Sequence, residues 1–125
     1  MKPRHKIRPD ANQSEIISHL EAHGVDVLDL SKMGNVPDLL VRFGQRSGFL
    51  ELKIPGSRAC FTKEQVRWIA ETRWPVRIVT NKDDALEFAK THEGALTESQ
   101  KYRLRPLLEG KARDIRPADV LEAMK

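Results

Sequence analysis

Two apolar segments, Pro37-Asp-Leu-Leu-Val-Arg-Phe43 and Phe49-Leu-Glu-Leu-Lys-Ile54, are separated only by the polar stretch Gly44-Gln-Arg-Ser-Gly48. Both segments have the composition of strands, and the glycines between them favour a turn, so the pattern predicts a β-hairpin. The leading proline stands at the start of its strand, where it removes no hydrogen bond of the ladder. Strands joined by so short a loop bring Asp38 close to Glu51 across the hairpin.

Helices and strands are predicted on both sides of this hairpin from the spacing of apolar residues and from capping residues. In chain order they are a helix over about 12–23, strands over 25–30, 37–43 and 49–54, a helix over about 62–73, a strand over 76–80 and a helix over 83–91. The first three strands form an antiparallel meander, because short polar turns join them. The order α-β-β-β-α-β-α predicts an α/β fold, a mixed sheet flanked by helices.

The chain is long enough for one hydrophobic core, since it has 125 residues. We expect the core to comprise residues 10–94, and residues 95–125 to form a helical C-terminal extension that is not an independent domain. No apolar run is long enough to cross a bilayer, and the N-terminus lacks the apolar stretch of a secretory signal. The expected location is therefore the cytoplasm. The single cysteine, Cys60, excludes an intramolecular disulfide and a multi-cysteine zinc site.

The net charge of +4 is distributed unevenly along the chain. Residues 1–9 contain four Lys or Arg and no acidic residue, residues 10–94 contain 11 basic and 13 acidic residues, and residues 95–125 contain seven basic and five acidic residues. Basic ends around an acidic centre suit a protein that binds a polyanion and keeps carboxylates for a metal ion. An ordinary solvated surface accounts for the same charges.

Three polar residues of the hairpin suggest a metal-dependent reaction on phosphate esters. Glu51 and Lys53 lie on the same face of their strand, because side chains alternate along a strand, and Asp38 is their neighbour across the hairpin. Two adjacent carboxylates repel each other unless a cation and an ammonium group compensate them. Two carboxylates and a main-chain carbonyl, here that of Leu52, suit Mg²⁺, which polarises a phosphoryl group and lowers the pKa of a bound water. A lysine stabilises the charge that develops on the phosphate oxygens.

These residues resemble the motif of a known nuclease superfamily. Pro37-Asp38 followed by Glu51-Leu-Lys53 is similar to the PD-(D/E)xK motif, and the predicted order of elements is similar to that superfamily's restriction-endonuclease-like core. The resemblance is closer to the small VRR-NUC nucleases, several of which are encoded by phages. It rests on Val36-Pro-Asp-Leu-Leu-Val41, Phe49-Leu-Glu-Leu-Lys53 and Phe61-Thr-Lys-Glu-Gln65, and it covers about residues 10–90.

The resemblance implies an endonuclease that hydrolyses DNA with Mg²⁺, for which Mn²⁺ substitutes, and that prefers branched or junction DNA. It also implies a homodimer, acting in the host cytoplasm if the protein is encoded by a phage or prophage. Asp38, Glu51 and Lys53 would be its catalytic residues, with Asp38, Glu51 and the Leu52 carbonyl as metal ligands.

Glu15 and Gln65 each have two possible roles. Relatives with this motif have an acidic residue on the first helix that reaches the metal, and a glutamine beside the site on the helix after the motif. The resemblance therefore implies that Glu15 is a metal ligand and Gln65 a catalytic residue. However, Asn12-x-x-Glu15 and Thr62-x-x-Gln65 are also capping boxes, in which the side chain serves only the start of its helix.

Arg58 and Lys63 follow the motif strand in the sequence, and we expect them to contact DNA phosphates. Two other classes of protein compete with the nuclease. One is a DNA-binding module of the same fold that does not cut, and the other is a small α/β interaction domain whose charges are incidental. Metal-dependent thermal stability would separate a metal site from an incidental pair of surface charges.

Overall fold

A computed structural model describes residues 7–53 and 60–125 of the chain. The helices in these ranges are α1 (Ile7–Ala22), α2 (Lys63–Glu71), α3 (Lys82–Thr91), α4 (Glu98–Arg103) and α5 (Pro117–Met124). The strands are β1 (Asp26–Asp29), β2 (Leu39–Phe43), β3 (Arg46–Leu52), β4 (Phe61–Thr62), β5 (Val76–Val79) and β6 (Asp114–Ile115). Two short 3₁₀ segments, Ser31–Met33 and Arg105–Glu109, lie between them.

Four strands form one mixed sheet in the order β1-β2-β3-β5. β1, β2 and β3 are antiparallel neighbours, which confirms the predicted meander, and β5 adds to β3 in parallel. A parallel neighbour requires a crossover, which α2 supplies between β3 and β5. The fold is therefore α/β with a mixed open sheet flanked by helices.

The hairpin turn is shorter than its sequence predicts. The ladder between β2 and β3 continues to the pair Phe43 and Arg46, so only Gly44 and Gln45 form the turn. Gly44 has a φ of 62°, a left-handed conformation that glycine adopts at no steric cost and that matches the twist of a two-residue hairpin. The prediction of a loop over 44–48 was therefore wrong at its C-terminal end, where the strand has already begun.

Two apolar clusters cover the two faces of the sheet. α1 and α3 pack on one face, in a cluster of buried residues that includes Ile16, Leu20, Leu39, Leu50 and Phe88. α2 packs on the other face with the C-terminal residues, in a cluster that includes Phe61, Val66, Ile69, Leu104, Ile115 and Val120. Because Leu50 belongs to the first cluster and side chains alternate, Glu51 is directed to the α2 face.

The C-terminal extension packs against α2 and shares its apolar cluster. β6 pairs with β4 in antiparallel orientation, with Ile115 opposite Phe61. The buried ammonium of Lys101 donates to the main-chain carbonyls of Thr72 and Trp74, at the C-terminal end of α2. The extension therefore contains a strand as well as the predicted helices, and this strand adjoins the start of α2. Of the helices within 7–53 and 60–125, none combines the length and the apolar character needed to span a membrane.

Candidate active site

Asp38 is held between two strands of the sheet. Its main-chain carbonyl accepts a 2.7 Å hydrogen bond from the amide of Leu30. Its carboxylate oxygen Oδ2 accepts a 2.8 Å hydrogen bond from the amide of Leu52, at the end of β3. The pairing of Leu39 with Leu50 brings Asp38 beside Glu51, the next residue along the hairpin. The structure thus brings together the two carboxylates that the sequence predicted to be neighbours.

Glu51 is a fully buried carboxylate, with 0% of its surface exposed. Lys53 Nζ lies 3.1 Å from Glu51 Oε2 and forms an ion pair with it. Neither carboxylate oxygen of Glu51 accepts a well-directed hydrogen bond from a residue that the structure describes. Such a carboxylate is costly to bury unless further positive charge or hydrogen bonds stabilise it.

The surroundings of Glu51 raise its pKa from 4.5 to about 7. Burial is the largest cause and the charge of Asp38 adds to it, while Lys53 acts in the opposite direction. Burial also raises the pKa of Asp38, against the hydrogen bond from Leu52 and the charge of Lys53. With both carboxyl groups ionised, two negative charges would face the one positive charge of Lys53, which is why the charge of Asp38 raises the pKa of Glu51 in addition to burial.

Lys53 is positioned by the segment that leads into α2. Its ammonium Nζ donates to the main-chain carbonyl of Cys60 at 3.3 Å and lies 4.4 Å from the centre of the Phe61 ring. Its main-chain amide donates to Val79 of the parallel strand β5. The side chain is only 13% exposed. The ammonium is therefore fixed beside Glu51 rather than free to move in solvent.

Asp38 and Glu51 are oxygen donors of the kind that a hard divalent cation such as Mg²⁺ takes. Within residues 7–53 and 60–125, no group of three or more His, Cys, Asp or Glu is placed to hold a metal. Mg²⁺ keeps several waters and is commonly bound by one or two carboxylates. The carboxylate oxygens of Glu51, which have only the ion pair with Lys53 to balance them and lie next to Asp38, are the kind of oxygen ligand that this ion binds.

Glu15 is not brought together with the other two carboxylates. Its side chain is 64% exposed, and its Oε2 lies 3.7 Å from Nζ of Lys82, the first residue of α3. The alternative role as a capping residue was wrong, because α1 already includes Ile7 and both Asn12 and Glu15 lie inside the helix. A metal role would require this exposed pair to rearrange.

We expect Glu15→Gln to leave Mn²⁺ affinity within about twofold of the parent protein, because an exposed ion pair contributes about 1 kcal/mol or less and the other carboxylates are untouched. Isothermal titration calorimetry with Mn²⁺ measures this affinity. A large loss of affinity would instead make Glu15 a metal ligand, as the resemblance to known nucleases implied.

Gln65 forms the capping box that its sequence predicted. Thr62 Oγ1 accepts from the amide of Gln65, and Gln65 Oε1 accepts from the amide of Thr62 at 2.9 Å. The side-chain oxygen is thereby committed to the start of α2. A catalytic role for Gln65 stays a prediction, as does a metal contact through the carbonyl of Leu52, whose amide is bonded to Asp38.

Of the two residues predicted to contact phosphates, Arg58 lies outside the described residues. Lys63 is the first residue of α2, and its ammonium donates to the main-chain carbonyl of Gly110 in the extension. The sequence of that extension indicated no chemical role, yet Lys111 and Arg113 lie beside Lys63 around one cleft. Only their basic character pointed to them in the sequence.

Comparisons with protein-family models, curated proteins and solved structures found no match to this chain. The arrangement of Asp38, Glu51 and Lys53 is therefore the basis on which a function is assigned.

Proposed function

We propose that this protein is a magnesium-dependent nuclease that hydrolyses phosphodiester bonds of DNA. The observation that supports it best is the fully buried carboxylate of Glu51 beside the partly buried carboxylate of Asp38, with one lysine ammonium, 3.1 Å from Glu51, to balance the two acids. If the ion pair between Lys53 and Glu51 only stabilised the fold, it would not require the carboxylate of Asp38 beside it. The resemblance to the PD-(D/E)xK motif supports the same function, with a restriction-endonuclease-like core for the mixed sheet.

Asp38 and Glu51 would hold the metal ion, together with the main-chain carbonyl of Leu52. When bound, Mg²⁺ supplies polarisation of the phosphoryl group and a water of lowered pKa. Burial serves this function, because a carboxylate that is poorly solvated in the free protein gains more from a cation than an exposed one does. The amide of Leu52 keeps Asp38 turned toward Glu51.

Lys53 would stabilise the negative charge that develops on the phosphate oxygens during hydrolysis. Its ammonium is held by the carbonyl of Cys60 and by the Phe61 ring, so little reorganisation is needed when that charge appears. The side chains of Asp38, Glu51 and Lys53 lie on one face of the hairpin that β2 and β3 form. A phosphate that contacts the metal ligands there also comes within reach of Lys53.

The substrate that the resemblance favours is branched or junction DNA. One chain offers one such site, so symmetric cleavage of two strands would require a two-fold homodimer. The direct test is to incubate the pure protein with labelled linear, flapped and four-way DNAs in Mg²⁺ and in EDTA. Metal-dependent cleavage of any of these DNAs supports the function. Metal-independent binding without cleavage would instead assign the fold to a non-cutting DNA-binding module.

Asp38→Asn should weaken Mn²⁺ binding by about tenfold or more, because the amide carries no charge to hold the cation. The asparagine oxygen still accepts a hydrogen bond from the amide of Leu52, so the end of β3 should stay in place and the melting temperature should change little. Titration calorimetry with Mn²⁺ measures the loss, and Glu15→Gln, which also removes one carboxylate charge, is the matched control. Equal affinity in Asp38→Asn and the parent protein would remove Asp38 from the metal site.

A further inference from the structure

A cleft of about 360 Å³ opens between the start of α2 and the extension. It is lined by Asn35, Thr62, Lys63, Glu64, Lys111, Ala112, Arg113 and Asp114. The cleft has a defined shape because two hydrogen bonds tie its walls together: the amide of Lys63 donates to the carbonyl of Arg113 at 2.9 Å, and the ammonium of Lys63 donates to the carbonyl of Gly110. The pairing of β4 with β6 lies directly beside these bonds.

The side chains around the cleft favour an anion. Lys63, Lys111 and Arg113 are basic, against the acidic Glu64 and Asp114. Glu64 is moreover turned to an ion pair with Arg67, at 3.6 Å on the next turn of α2. Lys111 and Arg113 are exposed, and neither forms an ion pair within the part of the chain that the structure describes. Lys111 and Arg113 are thus presented to solvent along the lining of one cleft, with the exposed Asp114 as the acidic side chain that opposes them.

Two segments of chain connect the cleft with the candidate active site. Asn35 stands three residues before Asp38, a separation of at most about 11 Å along the chain. On the other side, Thr62 follows Phe61, whose ring contacts the ammonium of Lys53. A chain of phosphates that passes the carboxylate pair would therefore reach the cleft within a few nucleotides, since successive phosphates of a strand are spaced by about 3.4 Å along the helix axis.

We propose that this cleft binds phosphate groups of the nucleic-acid strand held in the active site, with Lys111 and Arg113 as the principal contacts and Lys63 fixing the wall. This inference rests on the proposed function and gives the extension a role in it: residues 110–114 complete the substrate-binding surface. Lys and Arg contact phosphates without reading sequence, and the guanidinium of Arg113 can do so through two hydrogen bonds. Contacts of this kind position a strand for cleavage and set the salt dependence of its binding.

The test compares two variants that each lose two positive charges. One is the double variant Lys111→Gln/Arg113→Gln in the cleft, and the other is the control Arg73→Gln/Lys90→Gln, beyond the far end of α2 and on α3. Binding of a labelled short DNA is measured by fluorescence anisotropy over a range of salt concentrations, in EDTA so that cleavage plays no part. DNA affinity falls as salt rises, so the slope of log K against log salt is negative. We expect the cleft variant to make this slope shallower by about two, one for each lost phosphate contact, and the control to change it much less.

Equal slopes for the cleft variant and the control pair, or no DNA binding by the parent protein, would overturn the inference. A reduced slope in the cleft variant supports it even if the parent protein cuts no DNA in Mg²⁺, an outcome in which only the nuclease function fails. A second arm titrates inorganic phosphate while the amide resonances of residues 110–114 are followed by NMR. If phosphate saturates the cleft but the cleft variant binds DNA as the parent protein does, the site is one for a free small anion and the inference is wrong.

Discussion

Glu51→Gln is expected to stabilise the metal-free protein in mildly alkaline buffer and to abolish its magnesium-dependent cleavage. The pKa of Glu51 in the folded protein is raised from 4.5 to about 7, chiefly by burial and then by the charge of Asp38. Below pH 4.5 the carboxyl is protonated in both the folded and the unfolded chain, and it costs no stability. As the pH rises from 4.5 to about 7, the unfolded chain loses its proton more readily, so the free energy of unfolding falls and then levels off.

The size of this loss follows from the difference between the two pKa values of Glu51. At 1.36 kcal/mol for each pKa unit, it amounts to about 3 kcal/mol. Glutamine keeps the shape of the side chain but does not ionise, so the variant should lack this dependence on pH. Part of the gain is offset, because Lys53 loses the partner that lies 3.1 Å from its ammonium. We therefore expect a stabilisation of about 1 to 3 kcal/mol above the folded-state pKa of Glu51.

Urea unfolding in EDTA at a series of pH values measures this prediction directly. The parent protein should lose stability across the interval between 4.5 and about 7, and Glu51→Gln should lose clearly less, because only Asp38 then retains a raised pKa in this cluster. Glu64→Gln removes an exposed carboxylate that pairs with Arg67, and it should follow the parent curve. Mg²⁺ should raise the stability of the parent protein but not that of Glu51→Gln. If the difference in stability between Glu51→Gln and the parent protein stays constant over this interval, the burial of an ionisable carboxylate at position 51 is contradicted.

The neighbourhood of Asp38, Glu51 and Lys53 could be predicted from the sequence because it depends on local rules. Alternation along a strand and a short turn suffice to bring the three residues to one face of a hairpin. The burial of Glu51 could not be predicted in the same way. It depends on α2 and on the extension that packs over α2, and nothing in the strand itself distinguishes a buried face from a solvated one.

Two other features depended on packing or on weak local signals. The start of α1 was predicted at Asn12, but the helix includes Pro9, a residue that the first turn of a helix tolerates because its missing amide would have no partner there. The cleft depends on the pairing of β4 with β6, two strands of two residues each that lie far apart in the sequence. Strands this short leave no periodic pattern, so Lys111 and Arg113 could not be connected with Lys63 in advance.

Lys53→Met and Lys53→Ala are both expected to lower the single-turnover rate of DNA cleavage by about a hundredfold or more, with little change in DNA affinity. Removing one preorganised hydrogen-bond donor that stabilises negative charge in the transition state typically lowers the rate by a factor of about 10² to 10³. Methionine is the more informative replacement: its unbranched side chain can still cover the Phe61 ring, which the ammonium contacts at 4.4 Å, but it carries no charge.

The two variants of Lys53 separate charge from packing. If the ammonium stabilises the developing charge, methionine and alanine should slow cleavage to a similar degree, while the melting temperature of Lys53→Met stays closer to that of the parent protein. If the side chain only supports the segment of Cys60 and Phe61, methionine should restore most of the rate that alanine loses. Quenched-flow measurement in saturating Mg²⁺, with DNA affinity determined separately in EDTA, distinguishes these results. Near-full cleavage by Lys53→Met would exclude the ammonium from the reaction and leave Asp38 and Glu51 as the catalytic residues.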